Sequence, residues 1–141
     1  MKPAHHNAER RLIAHMLKDR DIAFKVQDLL QGQTFNLDEH QAIITYLFGF
    51  YEGNHHSNAS AFLTYIQDDK LRRIVADIEM MSINEEVTDL ELNDYIKQVL
   101  NYQKLLKIKE KQAEQSEAER QKDVKKAAEI AMEIIQLRRS L

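Results

Sequence analysis

The sequence has no cysteine, one proline and three glycines in 141 residues. Zero cysteines exclude disulfides and thiolate metal sites, and they fit a reducing cytosol. After Gly53 the chain runs 88 residues to its C-terminus without a glycine or a proline. These two residues are the usual punctuation of turns and sheets, so their absence leaves helices joined by very short links. No apolar run approaches the ~20 residues needed to cross a bilayer, and the start lacks the apolar stretch of a signal peptide. Gly-x-Ser-x-Gly and Gly-rich phosphate loops are both missing. The expectation is a soluble, cytoplasmic, all-α chain with no recognisable active site.

What is present fits helices with solvated outer faces. Hydrophobic residues make up 43% of the chain and charged residues 30%, enough for a modest core in about one domain. Charge is unevenly placed. Residues 1–100 carry ten Lys/Arg against sixteen Asp/Glu, whereas residues 101–141 carry ten against seven. The change of sign suggests two subdomains, a bundle over 1–100 and a second unit over 101–141. A cationic tail raises nucleic acid as a partner. Acidic residues such as Glu110, Glu114, Glu117, Glu119 and Asp123 are interspersed through it, however, and phosphate-binding faces usually keep acids out.

Apolar spacing divides the first hundred residues into about six helices. Asn7 is read as the cap of the first, with Glu9 in its first turn and Leu12, Ile13, Met16 and Leu17 on its buried stripe. A second helix carries Ala23, Val26, Leu29 and Leu30 and stops at Gly32. Asn36-Leu37-Asp38-Glu39 reads as a capping box with Phe35 as a staple before it. The third helix, from Leu37 to about Glu52, is apolar around most of its circumference and is expected at the centre of the bundle. Gly53 to Asn58 is the one long turn signal. A short helix follows from Ala59 to Ile66, and Asp68 caps the next. Ser82-Ile-Asn-Glu85 and Thr88-Asp-Leu-Glu91 both have capping-box spacing, so the chain turns between them.

From Asp89 the pattern is nearly continuous, and two arrangements remain open. One is a single helix of about 50 residues, on the order of 75 Å long. The other is a hairpin turning near Gln115–Gln121, where Ser116 to Glu119 has cap spacing. Folding back sets Leu106 near Ile130, Tyr102 near Ile134 and Val99 near Leu137, so that both apolar stripes gain a partner. The hairpin is preferred on that ground.

No catalytic, cofactor-binding or metal-binding residue is assigned. His5-His6, His55-His56, His15 and His40 lack the spacing of a zinc site and are expected at helix ends and in loops. Carboxylate pairs such as Asp68-Asp69 and Glu85-Glu86 suit helix starts. Phe35, Phe48, Phe50, Phe62 and Tyr65 fall in apolar segments and belong to a core; Phe24 does not. Arg10-Arg11 and Arg72-Arg73 read as solvated faces whose stems cover the core. The C-terminal stripe stands apart. Ile134, Ile135, Leu137 and Leu141 crowd one helix with Met132, Arg138 and Arg139, more apolar surface than a lone hairpin buries. Apolar anchors beside Arg are typical of helix-mediated interfaces, so Met132, Ile134, Ile135, Leu137, Arg138 and Leu141 are the candidate partner-binding residues.

The segment Asn7-Ala-Glu-Arg-Arg-Leu-Ile-Ala-His-Met-Leu-Lys-Asp19, followed by Phe35 and the apolar helix from His40 to Tyr51, resembles the C-terminal helicase-binding domain of bacterial DNA primases. The same opening resembles the N-terminal domain of the replicative helicase, but that domain passes into a linker and an ATPase core rather than this tail. The primase resemblance covers essentially the whole chain. It implies a helical bundle followed by a hairpin, and a non-catalytic module cut from a longer protein. The implied partner is the N-terminal domain of the hexameric replicative helicase, with the hairpin as principal anchor and the bundle modulating helicase activity. Zinc and magnesium are then expected only in domains upstream, and the module alone is expected to be a monomer at the bacterial replication fork. The other readings are a self-associating coiled-coil protein, a helicase N-terminal domain, and a tail that binds single-stranded nucleic acid.

Overall fold

A computed structural model describes residues 2–53 and 55–141. Met1, and Asn54 of the long turn signal, lie outside the described residues. Those residues form seven helices and no strands: α1 Ala4–Lys18, α2 Arg20–Leu30, α3 Asp38–Glu52, α4 Ala59–Tyr65, α5 Asp69–Glu79, α6 Asp89–Arg120 and α7 Val124–Arg139. The chain divides into two compact units, Met1–Val99 and Leu100–Leu141, and α6 contributes to both.

In the first unit α1 presents Leu12, Ile13 and Met16, all fully buried, and α3 answers with Ile43, Ile44, Leu47, Phe50 and Tyr51. The spacing of these residues at three and four positions is what makes each helix one-sided. Phe50 is the aromatic centre, with ring centroids of Phe62 and Tyr65 each 5.4 Å away and His55 stacked at 4.4 Å. Gly49 makes room for this cluster, since a Cβ there would lie 3.2 Å from the Tyr65 hydroxyl. Tyr51 is buried and its hydroxyl donates to the Met16 carbonyl at 2.6 Å, tying α3 to α1. Leu92, Ile96 and Val99 on the first turns of α6 complete this core.

Several helix starts differ from expectation. α1 begins after Pro3, so Asn7 lies inside the helix, where its side chain donates to the Lys2 carbonyl. Proline has a fixed φ suited to a helix start, and it outcompetes the later cap residue. Glu9 is not a solvated first-turn acid but completely buried. Asn36 does not cap α3: the side chain is drawn to Glu9 and to the Val99 carbonyl, and Glu39 pairs with Lys70 instead. No helix starts at Ser82. Asp68 and Thr88 do cap, accepting from the amides of Leu71 and Glu91. His15 and His40 are buried rather than exposed at helix ends.

Candidate partner-binding site

The second unit is a helical hairpin formed by the later turns of α6 and by α7. The chain reverses at Gln121–Asp123, later than the sequence suggests, and Ser116 lies inside α6. The Asp123 amide donates to the Ala118 carbonyl at 2.9 Å and the Lys122 amide to the Glu119 carbonyl at 3.0 Å. That pair of bonds is a Schellman stop, with Lys122 at the left-handed position (φ 61°) usually taken by glycine. Asp123 then starts α7 by accepting from the Lys126 amide at 3.1 Å. One residue after the stop the chain is helical again, which is why no loop composition marks the turn.

The two helices bury a small core of Ile108, Ala118, Ile130 and Ile134, with Ala127 and Leu137 packed against it. Polar straps run along it. Lys111 pairs with Glu133, and the Lys104 ammonium donates to the Ser140 carbonyl at 2.8 Å. Both pairs centre on Lys122. The register expected from sequence centred a turn earlier, and this shift removes its pairs: Leu106 is exposed, Ile108 takes the inward position, and Val99 belongs to the first unit. The hydrogen bond from Lys111 to Glu133 raises the lysine above the ordinary range of its type. The fork that Arg120 makes on Glu117 lowers that carboxyl.

The register also sorts the candidate contact residues. Ile134 is only 5% exposed and Leu137 is half-buried, so the two hold the hairpin together. Ile134 is thus a core residue rather than an open anchor, because its position on α7 faces α6. Met132, Ile135 and Leu141 are 56%, 41% and 41% exposed, and Arg138 is also exposed. At 100° per residue Ile135 falls in line with Val124, Ala128 and Ala131, roughly a quarter turn from the buried face. Val124 (78% exposed) and Ala128 were absent from the sequence-based set, yet their spacing of i, i+4, i+7 and i+11 marks the same stripe. A shallow apolar groove lined by Val124, Ala127, Ala128 and Ala131, edged by Gln115 and Glu119, runs beside it. The hairpin therefore has two apolar faces on one short helix, one filled and one open. Among the described residues no cluster of three or more His, Asp or Glu is placed to hold a metal ion, and no helix is long and apolar enough to cross a membrane.

A family profile described as the DnaB-like helicase N-terminal domain matches residues 1–101, essentially the bundle. This chain belongs to that family. It is similar to the DNA primase of Geobacillus stearothermophilus, with 42% identity over 99% of the chain and 23% of that protein. It is also similar to the DNA primase of Halalkalibacterium halodurans, with 40% identity over 77% of the chain and 18% of the relative. The chain thus spans about a quarter or less of the length of these curated relatives. Among solved structures it resembles the DnaB-binding domain of DnaG from Bacillus stearothermophilus, at 41% identity and a TM-score of 0.58 over 97% of this chain and 92% of that one. The matches bear out the resemblance to the primase helicase-binding domain and the all-helical fold. The family profile stops at residue 101, whereas the primase matches continue through the hairpin.

Proposed function

We propose that this chain is the helicase-binding module of a bacterial DNA primase. It binds the N-terminal domain of the hexameric replicative helicase, recruits primase to the replication fork in the bacterial cytoplasm and modulates the helicase there. The reading rests on the 41% identity, across 97% of the chain, with a domain described as DnaB-binding. The open stripe on α7 supports the hairpin as the anchor: Met132, Ile135 and Leu141 supply apolar contact and Arg138 a flanking cation. Ile134 and Leu137 act from behind by keeping α7 on α6. The module is non-catalytic and takes no cofactor. Primer synthesis, and any zinc or magnesium it needs, belongs to other parts of the primase. Alone the module is a monomer, and nucleic acid is not its ligand.

The test is co-elution with the replicative helicase of a close bacterial relative. Burying one aliphatic side chain contributes about 1.5–3 kcal/mol, so Ile135→Asp removes the stable complex while leaving helix content unchanged. Normal co-elution of a folded Ile135→Asp variant would remove the α7 stripe from the interface. Failure of the unaltered chain to bind would remove the helicase reading itself.

A further inference from the structure

The first unit carries a second feature that the hairpin does not explain. Between Arg73 and Lys97 there is no Lys or Arg, while seven Asp and Glu fall in that interval. Among the described residues, only Asp89 of these acids pairs with a cation across the fold, Lys25 at 2.7 Å. The centre of this interval is the irregular segment between α5 and α6, residues 80–88, which is bracketed by Met80 and Leu90. These two are 84% and 72% exposed, far beyond what two large apolar groups need if their only role is to pack.

Beside the segment lies a pocket of about 130 Å³ lined by Arg11 and His15 of α1, Ser82, Ile83 and Asn84 of the segment, and Glu91 and Tyr95 of α6. Its wall is almost wholly polar. His15 is only 4% exposed and lines this pocket, and no described group hydrogen-bonds its ring. A neutral imidazole offers one nitrogen as an acceptor, and burial favours the neutral form here. The carboxylate of Glu91, the hydroxyls of Ser82 and Tyr95 and the amide oxygen of Asn84 are further acceptors. Arg11, itself exposed, is the one cation on the wall and Glu91 its one acid, so the negative excess comes from the acids of the flanking interval rather than from the wall. The space is well below the ~300 Å³ of a small-molecule site, and suits the head of one side chain.

We propose that this segment and pocket form a second docking surface, which takes a basic, apolar stretch of a partner protein and seats one of its cationic side chains among His15, Asn84, Glu91 and Tyr95. Met80 and Leu90 cover the apolar neighbours of that cation, and the surrounding acids steer a positive partner and reject a negative one. The occupant is a basic protein segment because the interval that supplies Met80, Leu90 and most of the pocket's acceptors carries seven acids and no cation. The proposal is independent of the hairpin and of the helicase reading.

The experiment titrates the full chain into a labelled short peptide of alternating Leu and Arg, with a Leu and Glu peptide as control. Binding is read by anisotropy and by the ring resonances of His15 and Tyr95. The Arg peptide is expected to bind and to shift both rings, and the Glu peptide to do neither. Glu91→Gln, and Met80→Ser combined with Leu90→Ser, should each weaken binding about tenfold, while Asp28→Asn and Glu52→Gln change it by less than about twofold. Equal losses from all the acid variants would reduce the effect to net charge and overturn the site. Ring resonances that stay fixed at saturation would overturn it as well.

Discussion

The carboxylate of Glu9, itself fully buried, accepts the backbone amide of the half-buried Asn36 at 2.6 Å, across 27 residues of sequence. The same carboxylate also takes the Asn36 side-chain amide at 3.0 Å and the Leu37 amide at 3.3 Å, with His40 Nδ1 2.9 Å away. Asn36 passes the connection on to the Val99 carbonyl of α6 at 3.0 Å. One acid on α1 thereby satisfies the start of α3 and, through Asn36, reaches α6. Glu9→Ala strands several partly or fully buried groups at once. It is expected to lower the stability of the first unit by about 3 kcal/mol, read as an earlier urea midpoint. Glu9→Gln keeps one acceptor oxygen and should lose less.

Tyr51 gives an alkaline counterpart. Its hydroxyl is buried against the Met16 carbonyl, and burial pushes its pKa up to about 12 from 10.0. The unfolded chain ionises first as pH rises. The stabilisation is therefore complete below pH 10 and is lost progressively as pH climbs from there toward 12. Tyr51→Phe should cost about 1 kcal/mol at neutral pH and flatten the alkaline decline in urea titrations.

His15 predicts the acid side. Burial depresses it below 6.5, so the unfolded chain takes up the proton more readily. The stabilisation is whole above pH 6.5 and falls as pH drops through the depressed folded value. His6, depressed by burial and by the nearby His40 ring at 4.9 Å, adds to the same trend. The urea midpoint of His15→Gln should fall less between neutral and mildly acidic pH than that of the unaltered chain. An identical fall in both would remove His15 as a contributor.

Lys122 predicts a gain. A side chain in the left-handed region costs about 1–2 kcal/mol, part of which glycine returns as extra freedom in the unfolded chain. Lys122→Gly should stabilise the hairpin by about 0.5 kcal/mol, seen as slower amide exchange in α7. Faster exchange would mean that the lysine side chain contributes more than its backbone costs.

How far the sequence could be read depended on whether a residue's role was local. Asp68 and Thr88 cap helices whose first turns follow them directly, and the spacing shows this without any tertiary information. Asn36 has the same credentials and does something else, because a buried carboxylate distant in sequence binds it more strongly than its own helix. Nothing in the first ten residues distinguishes Glu9 from an ordinary surface acid. The hairpin was legible as two apolar stripes, but its register was not. Ile134 and Ile135 are adjacent and chemically equivalent, and only the position of the Lys122 stop decides which faces inward. That stop carries no glycine to announce it. The loop pocket is not legible in the sequence because Arg11, His15 and Glu91 become neighbours only when α1 meets the start of α6.

The hairpin's core consists of four buried residues, one of them an alanine. Against this, the first unit buries Tyr51, Phe50, Phe62 and many aliphatic side chains. Local opening free energies follow such differences. The hairpin is then a separate cooperative unit that opens far more often than the bundle, and its amides should exchange through brief partial unfolding rather than global denaturation. A protein that covers the open face of α7 would slow that exchange, because for as long as it stays bound it completes a core that the chain leaves half built.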